Sequence, residues 1–320
     1  MTADPVMKTL AATGALILAL ASPGIPQITA AAAGPSGPES YHLFARSNLI
    51  AWCIVPFDAK KRDPEERAAM LERLRIGHFA YDYRAEHIPS FDAEIAACTR
   101  HGVALDAWWF PTALNDEARL ILDTLRRHHL KPQLWVMGGG NPVKSPEEQR
   151  ARVEAEAGRL RPIARAAREI GSVVAFYNHG AWFGEPENQI QIIERLRQDG
   201  VTNLGIVYNQ HHGHEHVDRW AMLLQKMKPY LLTVNLNGMS RGGEAAGNKI
   251  LPLGQGELDL QLLKTLRDSG WRGPIGILNH TDEDAEARLL DNLEGLDWLA
   301  AQLDGKPAGP KPKPRSWHQR

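Results

Sequence analysis

The feature that most constrains the fold is a short apolar run that recurs eight times between helical stretches. Each run is almost continuously apolar, which is typical of a strand buried on both faces of a parallel sheet. The runs are Leu49–Val55, His78–Asp82, Val103–Trp109, Pro132–Met137, Ser172–Tyr177, Leu204–Tyr208, Leu231–Leu236 and Gly273–Leu278. Strand and helix repeated eight times over roughly 250 residues predicts an α/β fold, a single-domain (β/α)8 TIM barrel.

The stretches between the runs carry helix signals. Asp63 and Ser145 are each followed by a proline and two glutamates, the pattern of an N-cap with proline at the first helical position. Helical spacing of apolar residues predicts helices at Ala68–Leu74, Phe91–Thr99, Ala118–His128, Val153–Ile170, Ile190–Arg197, Val217–Met227, Leu258–Ser269 and Asp284–Leu303. An open doubly wound sheet is disfavoured, because no glycine-rich phosphate turn follows the first strand.

Both ends of the chain differ in composition from the middle. Lys8 precedes the apolar run Leu10–Ala21, and small residues follow, which predicts a secretory signal peptide at residues 1–33. The run is too short to span a bilayer comfortably, so we expect export, to a periplasm, with no membrane anchor after cleavage. The Pro/Lys-rich residues 304–320 are predicted to be a disordered tail. The barrel is then expected at residues 41–303.

Composition excludes some partners. The 37 Lys and Arg balance 38 Asp and Glu, so the chain lacks the basic surface that nucleic acid or an anionic membrane requires. The two cysteines, Cys53 and Cys98, cannot form a disulfide framework; both are expected to be small buried hydrophobic residues, and a single bridge is left open. Nine Trp are available for the core or for stacking on sugar rings. The oligomeric state is left open.

In a TIM barrel, functional residues lie at the carboxyl ends of the strands and in the loops that follow. Polar residues follow all eight predicted strands of this chain. The main ones are Asp58, Asp82, Arg84, Glu86, His87, Trp108, Trp109, Asn141, Asn178, His179, Glu185, Glu187, Asn209, His211, His212, His214, His216, Asn235, Asn237, Asn279 and His280. We therefore expect a polar site at this end of the barrel.

Five segments near these ends resemble the xylose-isomerase-like TIM barrels, the sugar phosphate isomerase/epimerase superfamily. They are AFYNHGAW, GIVYNQHHGH, LTVNLNGM, LPLGQGELD and GPIGILNHT, and the resemblance covers roughly Asn48 to Leu299. It implies one divalent metal held by a Glu on strand five, an Asp on strand six, a His on strand seven and a Glu on strand eight. In such enzymes the metal polarises a ketose, and carboxylates move a proton at the adjacent carbon.

The resemblance places other residue types at the four metal positions. They are Tyr177, Asn209, Asn235 and Asn279, and only His212 matches a further histidine of the family. Hard cations prefer charged oxygen ligands, so we expect no metal at the standard position. We name no cofactor, and a divalent metal elsewhere is left open. Amides both donate and accept hydrogen bonds, which suits a polyhydroxylated ligand, although asparagine also commonly caps strand ends.

Proton transfer needs an acid and a base. His179 and His212 are the first candidates, with Glu86 and Glu185 as alternatives. Glu185 could equally begin a helix, with Pro186 in its first turn. The histidine-rich segment leaves open another metal site that uses His211, His214 or His216 with an acid from a different loop.

Together these features predict an exported enzyme acting on a small-molecule carbohydrate by proton abstraction next to a carbonyl. The reaction would be isomerisation or epimerisation, or a lyase or hydratase reaction on a 3-keto-glycoside. Substrate-binding candidates are Asn178, Asn209, Asn235, Asn237, Asn279, His280, Trp108, Trp109 and Arg84. A non-catalytic sugar-binding barrel is the alternative. Phosphodiester cleavage is disfavoured by the balanced charge, the signal peptide and the missing zinc ligands.

Overall fold

The computed structural model of the chain describes Met1 and residues 43–315. The predicted signal peptide, residues 1–33, lies outside the described residues apart from Met1. Residues 43–315 belong to a single compact unit. Among the described residues, no helix combines the length and the apolar composition of a membrane span.

Eight parallel strands form a closed barrel in which each strand pairs with its sequence neighbours and the first pairs with the last. They are β1 (Leu49–Trp52), β2 (His78–Tyr81), β3 (Ala104–Phe110), β4 (Gln133–Val136), β5 (Val173–Tyr177), β6 (Leu204–Asn209), β7 (Leu231–Leu236) and β8 (Ile275–Leu278). The predicted TIM barrel is confirmed. The first strand ends at Trp52 rather than Val55, because Cys53 adopts a left-handed backbone conformation (φ 58°) that ends the extended run.

Nine α-helices lie within residues 43–315. They are α1 (Pro64–Leu74), α2 (Phe91–Arg100), α3 (Asp116–Arg127), α4 (Pro146–Glu169), α5 (Ala181–Gly184), α6 (Pro186–Gln198), α7 (Trp220–Met227), α8 (Asp259–Asp268) and α9 (Ala285–Leu303). All eight predicted helices are present, and the single-turn α5 is additional. Short 3-10 helices cover Arg46–Asn48, Ala85–Ser90, Gln210–His212 and His214–Arg219.

The two predicted N-caps are formed. Asp63 Oδ1 accepts from the Glu66 amide at 2.9 Å, and Glu66 Oε2 accepts from the Asp63 amide at 3.1 Å. Ser145 Oγ accepts from the Glu148 amide at 3.2 Å, and a proline begins the helix in both cases. These side chains satisfy amide groups that have no partner within the first turn.

The barrel has two apolar layers, because successive strand residues point to opposite faces. The outer layer lies between strands and helices, and the inner layer fills the barrel interior. In the inner layer the indoles of Trp52 and Trp135 meet edge to face, with ring centroids 4.5 Å apart. Small residues such as Ala107 and Ala175 leave room for them. We call these two indoles the aromatic floor of the barrel mouth.

The predicted disordered tail differs from the structure between residues 304 and 315. Arg315 forms ion pairs with Asp291 (2.7 Å) and Glu294 (2.5 Å) on α9. The carbonyl oxygens of Gly309 and Pro312 accept hydrogen bonds from Trp298 and Gln255. Composition alone indicates disorder because it does not register these specific anchors.

Candidate functional site

Seven aromatic and imidazole rings form a contiguous cluster above the aromatic floor, at the carboxyl ends of the strands. Trp109 meets Tyr177 edge to face with centroids 5.0 Å apart, and Tyr177 lies 5.8 Å from the ring of His212. We call this group the ring cluster. Its members are Phe57, Trp109, Tyr177, His179, His211, His212 and His280. It lies where a TIM barrel carries its functional residues.

Four histidines make up most of the ring cluster. His179 follows β5 and His212 follows β6, and their ring centroids are 4.4 Å apart. His211 stacks obliquely on His212 at 3.7 Å, and His280, after β8, lies 6.0 Å from His211. His179 is exposed and His212 and His280 are half-buried, whereas His211 is fully buried. A ligand above the barrel would therefore meet His179, His212 and His280 first.

All four histidines are uncharged at neutral pH. Burial lowers the pKa of His212 to about 3 and that of His280 to about 4, and neighbouring histidines and Lys249 add repulsion. His179 is exposed at its surface but partly desolvated on its inner side, which lowers its pKa. Full burial places the pKa of His211 well below the usual range. A neutral imidazole has one hydrogen-bond donor and one acceptor, so each ring can give or take a proton.

The predicted amides of β5, β6 and β7 hydrogen-bond mainly to each other. The backbone N–H of Asn209 donates to Asn178 Oδ1 at 2.7 Å, and Asn209 Nδ2 donates to the same oxygen at 3.2 Å. Asn235 Nδ2 donates to Asn209 Oδ1 at 2.6 Å. Asn178 Nδ2 donates to the Asn209 carbonyl at 3.1 Å. We call these three residues the amide chain. All are at most 1% exposed, so their main contacts tie three strand ends together.

Asn237 and Asn279 are also buried and engaged with the backbone. Asn237 Nδ2 donates to the Gly238 carbonyl at 2.8 Å, and Asn279 Nδ2 donates to the Ala285 carbonyl at 3.1 Å. Within residues 43–315, the Oδ1 atoms of Asn235, Asn237 and Asn279 have no hydrogen-bond partner. These oxygens are the part of the amide set that could accept hydrogen bonds from a ligand.

The residues at the family's metal positions do not fit a divalent cation. Burial raises the pKa of Tyr177 well above its usual range, so its phenol stays protonated. The Asn209 oxygen already accepts from Asn235, and neutral amides lack the charge that hard cations require. Within the described part of the chain, no three His, Cys, Asp or Glu side chains are grouped as metal ligands.

The remaining histidines of the His-rich segment face other partners. His214 Nε2 lies 2.9 Å from the Lys249 carbonyl oxygen, and His216 Nδ1 lies 3.0 Å from the Tyr208 hydroxyl. His214 and His216 are both mostly buried. Of the three weak metal candidates, only His211 belongs to the ring cluster.

Neither predicted glutamate joins the ring cluster. Glu185 is the N-cap residue of α6 and pairs with Arg219 at 3.0 Å and with His216 at 3.5 Å. Burial opposes its ionisation, but hydrogen bonds from His216 and Arg219 lower its pKa to about 2. A carboxylate held ionised in this way is a poor proton acceptor near neutral pH. Glu86 is exposed on the 3-10 helix Ala85–Ser90.

The adjacent indoles of Trp108 and Trp109 point to opposite sides of β3. Trp108 is fully buried in the outer layer, with Tyr81 at 4.7 Å and Phe91 at 5.0 Å, and does not reach the ring cluster. Trp109 is half-buried and belongs to it. Arg84 also reaches the ring cluster, because its guanidinium lies 5.3 Å above the ring of Phe57.

Asp82 is a buried carboxyl group that the sequence places at a strand end without a predicted role. It follows β2 directly, is 1% exposed, and accepts a 3.3 Å hydrogen bond from the Val55 amide. Burial raises its pKa to about 7, although Arg84 opposes the shift. The thiol of Cys53 lies against it. An acid immediately after a buried strand is the signal that could have identified it.

A cleft of about 330 Å³ opens beside the ring cluster, above the ends of β2 and β3. Trp109 and Arg84 line it together with Tyr83, Ala113 and Glu117. The Tyr83 hydroxyl donates to Glu117 Oε1 at 2.5 Å. The cleft therefore adjoins the ring cluster through two shared residues.

Comparison with known proteins gives one family and several similar folds. The family model described as xylose isomerase-like TIM barrel matches residues 91–302. No curated protein sequence matches the chain significantly.

Three solved structures illustrate the similarity in fold. A 3-keto-D-glucoside 4-epimerase from E. coli is 16% identical, with a TM-score of 0.58 over 79% of this chain and 98% of its own. A xylose isomerase domain protein from Alicyclobacillus acidocaldarius is 20% identical, with a TM-score of 0.56 over 79% and 99%. A D-allulose 3-epimerase from Methylomonas sp., in complex with D-allulose, is 13% identical, with a TM-score of 0.54 over 76% and 95%.

Proposed function

Because this chain belongs to the xylose isomerase-like TIM barrel family, we propose that it is a carbohydrate-active enzyme. It moves a proton at the carbon next to the carbonyl group of a sugar or keto-sugar. The product is an isomer or epimer or, from a 3-keto-glycoside, an elimination or hydration product. Similar folds that act on a 3-keto-D-glucoside and on D-allulose support this substrate class.

The observation that carries the proposal is the pair of neutral histidines at the barrel mouth, with ring centroids 4.4 Å apart. His179 is the more exposed of the two and takes the proton from carbon on its unprotonated ring nitrogen. The electron pair moves towards the carbonyl oxygen, which accepts a hydrogen bond from the N–H of His212. A neutral imidazole can polarise a carbonyl in this way. Protonation of the same carbon on its opposite face gives the epimer. Protonation of the former carbonyl carbon, with the adjacent hydroxyl proton passing to the former carbonyl oxygen, gives the isomer.

Other residues around the pair hold the substrate. Trp109 presents an apolar indole face, which suits the C–H face of a sugar ring. Lys249 lies close enough to lower the pKa of both histidines, and its positive charge favours an oxyanion at the same place. The amide chain fixes the ends of β5 and β6, from which both histidines project.

Export is part of the proposal. The predicted signal peptide would take the protein to the periplasm, where phosphorylated sugars are scarce. An unphosphorylated substrate is consistent with a mouth that carries neutral imidazoles rather than a cluster of arginines.

The test is solvent exchange. The protein is incubated with 3-keto-glucose and with free ketoses in deuterated water, and deuterium at the carbon next to the carbonyl is followed by NMR. His179→Gln should lower the exchange rate by a factor of about 10² to 10⁴ while binding is retained. His128→Gln, at a histidine paired with Asp92 on the outer surface, is the matched control and should not change it.

The second candidate is a sugar-binding barrel without catalysis. The misfit between the family's metal positions and the residues of this chain favours it. Measurable binding of these sugars, with no exchange at any carbon, would establish this alternative and reject the enzyme.

A further inference from the structure

The cleft beside the ring cluster lies outside the histidine pair, because neither His179 nor His212 lines it. Trp109 forms one part of its wall and also meets Tyr177 inside the barrel mouth at 5.0 Å. Arg84 forms another part and lies above Phe57, which stacks on His280 at 3.7 Å. Trp109 and Arg84 therefore connect the cleft to the rings that surround the histidine pair.

The polar groups of the cleft carry both signs of charge. Arg84 is half-buried, and its Nη1 donates to the carbonyl oxygens of Asp82 and Tyr83, both at 2.8 Å. Glu117 supplies a carboxylate, one oxygen of which is fixed by the Tyr83 hydroxyl. A phosphate or carboxylate ligand would be repelled by Glu117, and a cation would be repelled by Arg84. A neutral ligand with several hydroxyl groups can bind both, because each hydroxyl donates and accepts.

The apolar wall of the cleft also favours a neutral sugar. The half-exposed indole of Trp109 offers the flat surface on which sugar rings pack. The volume of about 330 Å³ lies at the lower end of the range of about 300–1,000 Å³ for small-molecule sites. One neutral, ring-sized group fits this combination of size and chemistry.

We propose that the cleft is a second sugar subsite, and that the substrate is a glycoside of at least two rings rather than a free monosaccharide. The inference rests on the proposed function and deepens it. The reacting keto-sugar occupies the ring cluster, and the sugar attached to it lies on Trp109 between Arg84 and Glu117.

The test compares one ring with two. Binding is measured by calorimetry, and exchange by NMR in deuterated water, for 3-keto-glucose and for the 3-keto form of a glucosyl disaccharide. Wild type should bind the disaccharide more tightly. Ala113→Trp fills the cleft from its exposed rim and should weaken disaccharide binding about tenfold or more while monosaccharide binding changes less than about twofold.

Leu120→Trp is the matched control, because Leu120 is 43% exposed on α3 and does not line the cleft. It should leave the binding of both sugars unchanged. Glu117→Gln keeps the shape of the side chain and removes its charge, so it should also weaken the disaccharide selectively. Thermal unfolding of each variant separates these effects from loss of the fold.

The outcomes separate the subsite from the enzyme activity. Equal affinity for one and two rings, or equal weakening of both by Ala113→Trp, overturns the second subsite even if exchange is seen. Selective weakening of disaccharide binding without any exchange supports the subsite and rejects the enzyme. Absence of binding by either sugar rejects both.

Discussion

Asp82 allows a test of the electrostatics of the barrel mouth that does not depend on the substrate. Its carboxyl group is buried, accepts one hydrogen bond from Val55, and leaves Oδ2 without a partner within the described residues. Its pKa is raised from 3.8 to about 7 by burial. The folded protein therefore holds a proton between these pH values that the unfolded chain releases, and stability falls as pH rises through this range.

The size of the stability difference follows from the shift in the pKa of Asp82. Asp82→Asn keeps the shape and the acceptor for Val55 but cannot ionise. At about 1.4 kcal/mol per pKa unit, the variant should exceed wild type in unfolding free energy by about 2 kcal/mol at pH 5 and about 4 kcal/mol at pH 8. The gain should vanish below about pH 4, where both states of wild type are protonated. Local opening that admits water would reduce these values but not change their order.

Urea unfolding of both proteins at pH 5 and pH 8 measures the difference. Asp259→Asn is the contrasting variant, because burial also raises the pKa of Asp259 to about 7. Its carboxylate accepts from the amides of Met239 (2.6 Å), Gly254 (2.7 Å) and Gly256 (3.1 Å). An amide nitrogen there would face at least one N–H, so this variant should gain less stability than Asp82→Asn at both pH values. A gain for Asp82→Asn that is the same at both pH values, or a loss, would refute the reasoning.

Three further changes test other parts of the structure. Gly276→Ala should destabilise the barrel by about 1–3 kcal/mol, because the new Cβ would lie 1.7 Å from Asn235 Oδ1. Gly77→Ala is the control and should not destabilise the barrel, because nothing lies within 4 Å of its new Cβ. Thermal melting compares the two variants. Glu185→Gln should be less stable than wild type at pH 7. The difference in stability should disappear as pH falls towards about 2, because protonation of Glu185 breaks its ion pair with Arg219. A difference in urea midpoint that stays constant with pH would contradict this explanation. Metal analysis of untagged, chelator-washed protein should find less than one divalent ion per chain, and one tightly held ion would refute the misfit at the family's metal positions.

The strands and helices could be predicted because each depends on local pattern. A buried strand must be apolar throughout, and a surface helix must be apolar along one face. The helix α5 was not predicted because four residues are too few to show a period. The position at which β1 ends depends on one backbone angle at Cys53, which composition does not reveal.

The sequence predicts which residues lie at the carboxyl ends of the strands, but not which of them contact each other. Trp108 and Trp109 are equivalent in the sequence, and only the register of β3 decides that the second faces the barrel interior. Asn178 and Asn209 were predicted to contact substrate, but a sequence does not show that one amide satisfies another. The anchoring of the tail by Arg315 likewise depends on a distant helix rather than on neighbouring residues.

The amide chain also limits how this barrel can change over evolutionary time. Asn209→Asp would remove the Nδ2 donor that lies 3.2 Å from Asn178 Oδ1 and would place a carboxylate oxygen against that oxygen. Asn235→His would remove the Nδ2 donor from Asn209 Oδ1 in a buried place. The effects of such replacements are therefore epistatic. A change at one of these positions is therefore tolerated best together with a compensating change at the residue that it contacts.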